Sequence, residues 1–284
     1  MKQIEIVNYV QLWRDLVRLG EERRKRKTKT HSVDQWHGKA KEFDQKVSDR
    51  WQQQDSSRTF VLQTLNEFSG STVMDIGAGS GAWVSLMSPH AKSITAIDPS
   101  ESMLSQLKQR VEEERLNNVN IVEGCWPEVK VDRHDICFCS HAMYGTEDFP
   151  AFIRALQEST NKRIIFLIRA PGEEGLMAQA MKLVWGHPYD SPNYQIAMQI
   201  LWEMGIFPNV IMEEDHLWKP WSHPLLEEAL AEMKNRLGLF DKNEWDDRLL
   251  DLLASNLVYQ SGEYFWPSAI RTALLYWDVE KSFI

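Results

Sequence analysis

Cysteine is scarce in this chain, with three in 284 residues, and no C-x-x-C pair occurs. That removes the spacing on which a zinc or dithiol redox site is normally built, and no metal is expected. Cys125, Cys137 and Cys139 read as reduced, partly buried thiols, and the last two, two residues apart in an apolar run, would share one face of a strand. Long hydrophobic runs are also missing, so nothing spans a bilayer. The start MKQIEIVNYVQLWRD carries acids where a signal peptide would carry a clean apolar core, and a cytoplasmic protein is expected. Internal repeats and low-complexity tracts are absent. So is a basic excess: the net charge is −9, with residues 1–58 at +5 and the remainder at −14. An acidic body does not suit a broad nucleic-acid footprint, although a basic arm would still reach phosphates.

What is present is a soluble globular composition, 43% hydrophobic and 26% charged. Residues 4–29 read as a helix whose apolar stripe (Ile6, Val10, Trp13, Val17, Leu19) runs into Arg23-Arg24-Lys25-Arg26-Lys27, taken as a solvated face rather than a docking arm. Further helices are predicted over 33–52 and 57–68. Strand-like and helical stretches then alternate. The strands are expected at 72–76, 93–97, 119–122, 135–139, 163–168, 209–212 and 269–277, and the rhythm is that of crossover units on a mostly parallel sheet. Two stretches exceed a minimal sheet of this kind. Residues 171–193 are Met-rich, and 215–262 place Trp218, Trp221 and Trp245 among acidic helices, so both are candidates for lids or substrate-binding layers.

The most informative segment is VMDIGAGSG at 73–81, followed by Ala96-Ile97-Asp98. A dinucleotide loop usually reads G-x-G-x-x-G, whereas here the glycines are Gly77, Gly79 and Gly81, with Asp75 ahead of them. A carboxylate at that point opposes a pyrophosphate and suits a ligand with a positive amino group. Asp98, 21 residues past Gly77, has the spacing of an acid that accepts ribose hydroxyls. An amino acid attached to a nucleoside meets both demands. VMDIGAGSGAW and AIDPSESML resemble the first two cofactor motifs of the class I S-adenosylmethionine-dependent methyltransferases, and weaker likeness extends over 57–214 and 263–280.

The resemblance implies an α/β fold, a doubly wound, mostly parallel seven-stranded Rossmann-like sheet with added N-terminal helices and helical insertions. Residues 1–56 would be a helical cap, and 57–284 the methyltransferase domain with the two insertions. S-adenosyl-L-methionine would be the cofactor and S-adenosyl-L-homocysteine the product. By position, Asp75, Gly77, Ala78, Gly79 and Gly81 would hold the methionine part and Asp98 the ribose. Pro99, Ser100 and Met103 would lie toward the adenine. Members often carry an Asp after the third strand for the adenine amino group. Here Glu123-Gly124 is followed by Cys125-Trp126, so backbone groups, Trp126 packing or Glu123 would replace it.

Methyl transfer needs alignment more than it needs a base. Ser140-His141-Ala142-Met143-Tyr144-Gly145 leaves the fourth strand where such folds bind the acceptor, which makes His141 a candidate base and Tyr144 an orienting hydroxyl. His37, His187 and His216 lie in segments that could close over the pocket, and Arg169 could meet a substrate carboxylate or neutralise acidic neighbours. Neither an Asn/Asp-Pro-Pro-Tyr stretch nor a Pro-Cys pair follows the fourth strand, which disfavours base methylation. Twelve tryptophans, including Trp185, Trp202, Trp218, Trp221 and Trp245, fit a Trp-rich core slightly better than an aromatic cavity. The expected acceptor is a small molecule, and the expected assembly a monomer or homodimer. A macromolecular acceptor and a catalytically silent cofactor-binding protein are the alternatives.

Overall fold

A computed structural model describes residues 7–27, 34, 36–172, 174–213, 220–267 and 270–279. Its centre is a seven-stranded sheet in the order β3-β2-β1-β4-β5-β10-β6. The strands are β1 (Thr72–Ile76), β2 (Ser93–Asp98), β3 (Val119–Glu123), β4 (His134–Ser140), β5 (Thr160–Pro171), β6 (Asn209–Met212) and β10 (Ile270–Asp278). The first five are parallel, and β10 enters antiparallel between β5 and β6. This is the mixed, mostly parallel sheet that the alternation of apolar runs predicts. Strand order reverses between β1 and β4, and open α/β sheets bind ligands at such a switch point, beyond the strand carboxyl ends.

Because β1, β4 and β5 are covered on both faces, they read as continuous apolar runs and not as alternation. One face is filled by α1 (Tyr9–Lys27), α6 (Phe149–Glu158) and α8 (Tyr194–Glu203). Trp13 of α1 is fully buried, stacks on Phe149 with ring centroids 4.1 Å apart, and donates its indole N–H to Thr146 O at 2.8 Å. Cys137 and Cys139 belong to this same core face, as their two-residue spacing predicts, while Cys125 is exposed. The opposite face is packed by α3 (Ser56–Glu67), α4 (Ala82–Met87) and α5 (Glu101–Glu113) through Val61, Leu65, Val84, Leu104 and Leu107.

Two elements differ from the sequence reading. Helix α2 (Ala40–Arg50) begins well after residue 33, because Asp34 Oδ1 accepts the Trp36 N–H at 2.9 Å and Gly38 is left-handed, so the chain turns before it can helix. In the late insertion, α9 (Leu226–Leu237) and α10 (Asp246–Asn256) are accompanied by a small sheet of β7 (Ser222–His223), β8 (Val258–Gln260) and β9 (Glu263–Phe265). The β8–β9 hairpin turns on Ser261-Gly262, both at positive φ, which is the local chemistry of a tight turn. Helices α7 (Leu176–Trp185), α9 and α10 share a separate core of Leu176, Met181, Met233, Leu237, Leu249 and Leu253. The two insertions thus support each other. Among the described residues, no helix is long and apolar enough to cross a membrane.

Candidate functional site

Strand β1 delivers Asp75 to the switch point, where it is 1% exposed. Its Oδ2 has no hydrogen-bond partner among the described residues. Burial, reinforced by the nearby Asp98, pushes its pKa up to about 8. The chain then turns through Gly77, Gly79 and Gly81, all at positive φ. Gly77 has no room for a side chain, since a Cβ there would lie 2.1 Å from Ala142 Cβ. The loop after β4 is thereby pressed against the glycine loop. Gly77 and Ala78 both donate their N–H to Ile97 O, at 2.8 and 3.0 Å, which ties the loop to the end of β2.

Asp98 ends β2 almost buried, accepting the Gly79 N–H on Oδ2 at 2.9 Å and the Ser100 N–H on Oδ1 at 2.8 Å. Each oxygen keeps a lone pair for a ligand. Burial raises its pKa. Ser100 caps α5 by accepting the Met103 N–H, and donates its hydroxyl to Asp34 Oδ1 at 2.8 Å. Asp44 of α2 accepts from Ser80 and from Arg110, both at 2.6 Å. The α2 segment therefore lies over both ends of the loop region. Neither Asp34 nor Asp44 carries any motif that would have marked it in the sequence.

On the far side of the His141–Ala142 turn is a cavity of about 360 Å³. Its walls include Phe43, Leu176, Met177, Trp221 and Trp266, with Arg169, Asp190, His141 and Tyr144 as polar members. His141 adopts φ +55, an unusual conformation for a residue with a Cβ, held by its N–H donating to Leu167 O at 2.9 Å. The Tyr144 hydroxyl accepts the Arg169 N–H at 2.7 Å and shares a 2.8 Å hydrogen bond with His141 Nδ1. Burial, together with the positive charges of Arg50 and Arg169, lowers the His141 pKa to about 3, while burial raises that of Tyr144. Both are neutral across the ordinary pH range.

In the cavity wall, Asp190 receives Arg169 Nη1 at 3.0 Å, and Arg236 lies 3.8 Å away. Burial alone would raise the Asp190 pKa, yet Arg169, Arg236 and Arg23 together hold it below its ordinary value. Arg23 donates to Asp190 O at 2.9 Å and to Arg236 O at 3.0 Å, and desolvation lowers its own pKa to about 10. This corrects the reading of the whole basic run as a solvated face. Arg24 and Lys25 are exposed, but Arg23, four residues past Leu19 on the packed side of α1, is not.

Comparison with known proteins finds that residues 73–162, from β1 to the start of β5, match the family described as "Methyltransferase domain". Over these residues the chain is similar to that methyltransferase domain family. An uncharacterized protein of Haemophilus influenzae is 23% identical over 231 residues, covering 78% of this chain and 81% of its own. Among solved structures, YcgJ from Bacillus subtilis aligns at 14% identity and TM-score 0.48, covering 79% of this chain and 100% of that one. A methyltransferase from Thiobacillus denitrificans in complex with S-adenosyl-L-homocysteine aligns at 18% identity and TM-score 0.46, covering 76% and 89%.

The residues present fit the cofactor of a methyltransferase. The buried, unpaired Asp75 oxygen suits an ammonium group, the glycine loop leaves the backbone open to close approach, and Asp98 keeps lone pairs that suit a ribose diol. Around the adenine end, Pro99 is exposed, and Met103 is 1% exposed and acts as a packing residue of α5. Gly124 N–H donates to Asp98 O at 3.1 Å, Glu123 and Cys125 are exposed, and Trp126 packs half-buried on the first core. Ser140 ends β4 beside the turn. His37 is exposed, and His187 pairs with the Tyr189 N–H away from the loop. His216 and Trp218 lie outside the described residues. The remaining tryptophans divide: Trp221 lines the cavity, Trp245 packs on the insertion core, and Trp185 and Trp202 are about half exposed.

Proposed function

We propose that this chain is an S-adenosyl-L-methionine-dependent methyltransferase that acts on a small molecule bound in the cavity beside His141. The observation that carries the reading is the cavity itself, about 360 Å³ between the post-β4 turn and the two insertions. That volume lies in the range of small-ligand pockets, and apolar walls with a few convergent polar groups are their usual lining. When bound, the cofactor supplies an electrophilic methyl carbon on a sulfonium sulfur. The chain's part is placement: Asp75 holds the amino group, the Gly77–Gly81 loop fits the amino-acid portion, and Asp98 holds the ribose. The Gly77–Ala142 contact fixes the distance between donor and acceptor halves, which is the alignment an in-line displacement needs.

Within this reading His141 and Tyr144 orient the acceptor and do not store its proton. A histidine held at about pKa 3 is too weak a base for that role near neutrality, and the adjacent cations would oppose its protonation. The macromolecular alternative relied on the basic run as a docking arm, and the burial of Arg23 behind the cavity takes away part of that arm. The test is transfer of a radiolabelled methyl group into a cell extract separated by size. Label is expected in the small-molecule fraction, and charge reversal at Arg24 and Lys25 should leave it unchanged. Label confined to tRNA or protein would overturn the proposal.

A further inference from the structure

One corner of the cavity gathers several arginines, and its composition points to the kind of acceptor it takes. Arg169 pairs with the buried carboxylate of Asp190 at 3.0 Å, Arg236 lies 3.8 Å from it, and Arg23 donates to the Asp190 backbone oxygen beside it at 2.9 Å. Glu232, the other acid in contact, is bonded to Arg236 Nε at 2.9 Å and is partly exposed. Among the described residues, three guanidinium groups therefore face two carboxylates, leaving an excess positive charge in a largely desolvated setting. Such an excess is costly unless an anion completes it.

Arg169 is the member that reaches the cavity. Its Nη1 is committed to both Asp190 oxygens, at 3.0 and 3.2 Å, and to the Ser191 hydroxyl. Among the described residues its Nε and Nη2 have no hydrogen-bond acceptor, and the side chain keeps 16% of its surface exposed where the cavity begins. A guanidinium with one edge anchored and the other open is a ready fork for a carboxylate. The rest of the lining suits an apolar body. Trp221 and Trp266 meet edge to face with centroids 5.6 Å apart, Leu176 and Met177 are also in the wall, and Arg236 stacks on Trp221 at 3.7 Å.

We infer that the acceptor is a small carboxylic acid with an apolar body, its carboxylate paired with the open edge of Arg169 and its body against Trp221 and Trp266. This rests on the reading of the cavity as the acceptor site. Arg169 is then a specificity-determining residue, anchored by Asp190 so that its fork presents a fixed face. Asp190 in the same wall favours a monoanion over a dianion, because a second negative charge would meet that carboxylate. The corner also explains why an arginine of α1, outside the matched domain, is buried behind the cavity: Arg23 adds to the positive field without touching the ligand space.

The test is calorimetry on the full chain saturated with S-adenosyl-L-homocysteine, using benzoate against benzamide, cinnamate against cinnamamide, and phenyl phosphate. Each acid should bind about tenfold or more tightly than its amide, the margin of a charge-assisted hydrogen bond over a neutral one. Arg169→Gln should bring the acids down to the level of the amides while leaving the amides unchanged, and Arg169→Lys should fall between. Equal binding of acids and amides to the unmodified protein overturns the anion inference while the cavity reading survives, and this comparison does not depend on any variant folding. Tighter binding of phenyl phosphate than of the acids overturns the choice of a monoanion. If no acid or amide binds at millimolar concentration, both the inference and the small-molecule reading fall.

Discussion

Asp75→Asn should make the ligand-free protein more stable while it ruins cofactor binding. In the folded chain the Asp75 carboxyl is pushed from 3.8 to about 8, first by burial and then by the repulsion of Asp98. A carboxyl with a raised folded pKa holds its proton more tightly in the native state than in the unfolded one. Its cost is absent below about pH 4, grows as the pH rises, and levels off above about pH 8. Each unit is worth about 1.4 kcal/mol, so moving from about pH 5 to about pH 8 should cost the wild-type protein about 4 kcal/mol through this one group. Asparagine does not titrate. Its own buried amide costs roughly 1–3 kcal/mol, but that cost is the same at both pH values. The stability difference between variant and wild type should therefore swing by about 4 kcal/mol in favour of the variant across this range, read by urea denaturation at each pH. Calorimetry on the same variant should show S-adenosyl-L-homocysteine affinity strongly reduced. A difference that does not change with pH would refute the account of Asp75 as a carboxylate held in reserve for a cation.

Gly77→Ala places a Cβ 2.1 Å from Ala142 Cβ at a left-handed φ, so a stability loss of about 2–4 kcal/mol and loss of cofactor binding are expected together in denaturation and titration experiments. His141 is held neutral at a pKa of about 3, so native stability should fall as the pH drops from about 6.5 toward about 3, and His141→Gln should flatten that limb of an acid-denaturation profile. By the same reasoning, no inflection from His141 should appear in the turnover profile between about pH 5 and 8. Asp44→Ala removes the partly exposed contacts to Ser80 and Arg110, so global stability should change by only about 1 kcal/mol while S-adenosyl-L-homocysteine dissociates several-fold faster in stopped-flow measurements. Trp13→Ala should cost about 3–5 kcal/mol in thermal or urea unfolding, since α1 is part of the sheet's packing and not a detachable cap.

The sheet and the cofactor half of the site were legible because their signals are local. Apolar runs of strand length between helical stretches give β1 to β5, and an acid, three glycines and a second acid give the loop between them. The proposed acceptor half, the cavity side of the site, is assembled from residues far apart in the chain. Arg23, Arg169, Asp190 and Arg236 come from four different segments, and nothing in the spacing of any one of them declares a cluster. The same holds for Asp34 and Asp44, whose importance lies in reaching Ser100 and Ser80 across the fold. Position after β4 singles out His141 in the sequence, but residue type alone does not reveal that burial and two neighbouring arginines decide its protonation. The β8–β9 hairpin is hidden in the sequence among helical segments, although Ser261-Gly262 between Val258–Gln260 and Glu263–Phe265 has the composition of a tight turn.

The most direct test of the central claim is calorimetric titration of the full chain with S-adenosyl-L-homocysteine and, separately, with NAD, on wild type and Asp98→Ala. Specific binding of S-adenosyl-L-homocysteine, lost or greatly weakened by the substitution, with no comparable binding of NAD, is the predicted result. Preference for NAD, or S-adenosyl-L-homocysteine binding that is indifferent to Asp98, would contradict it.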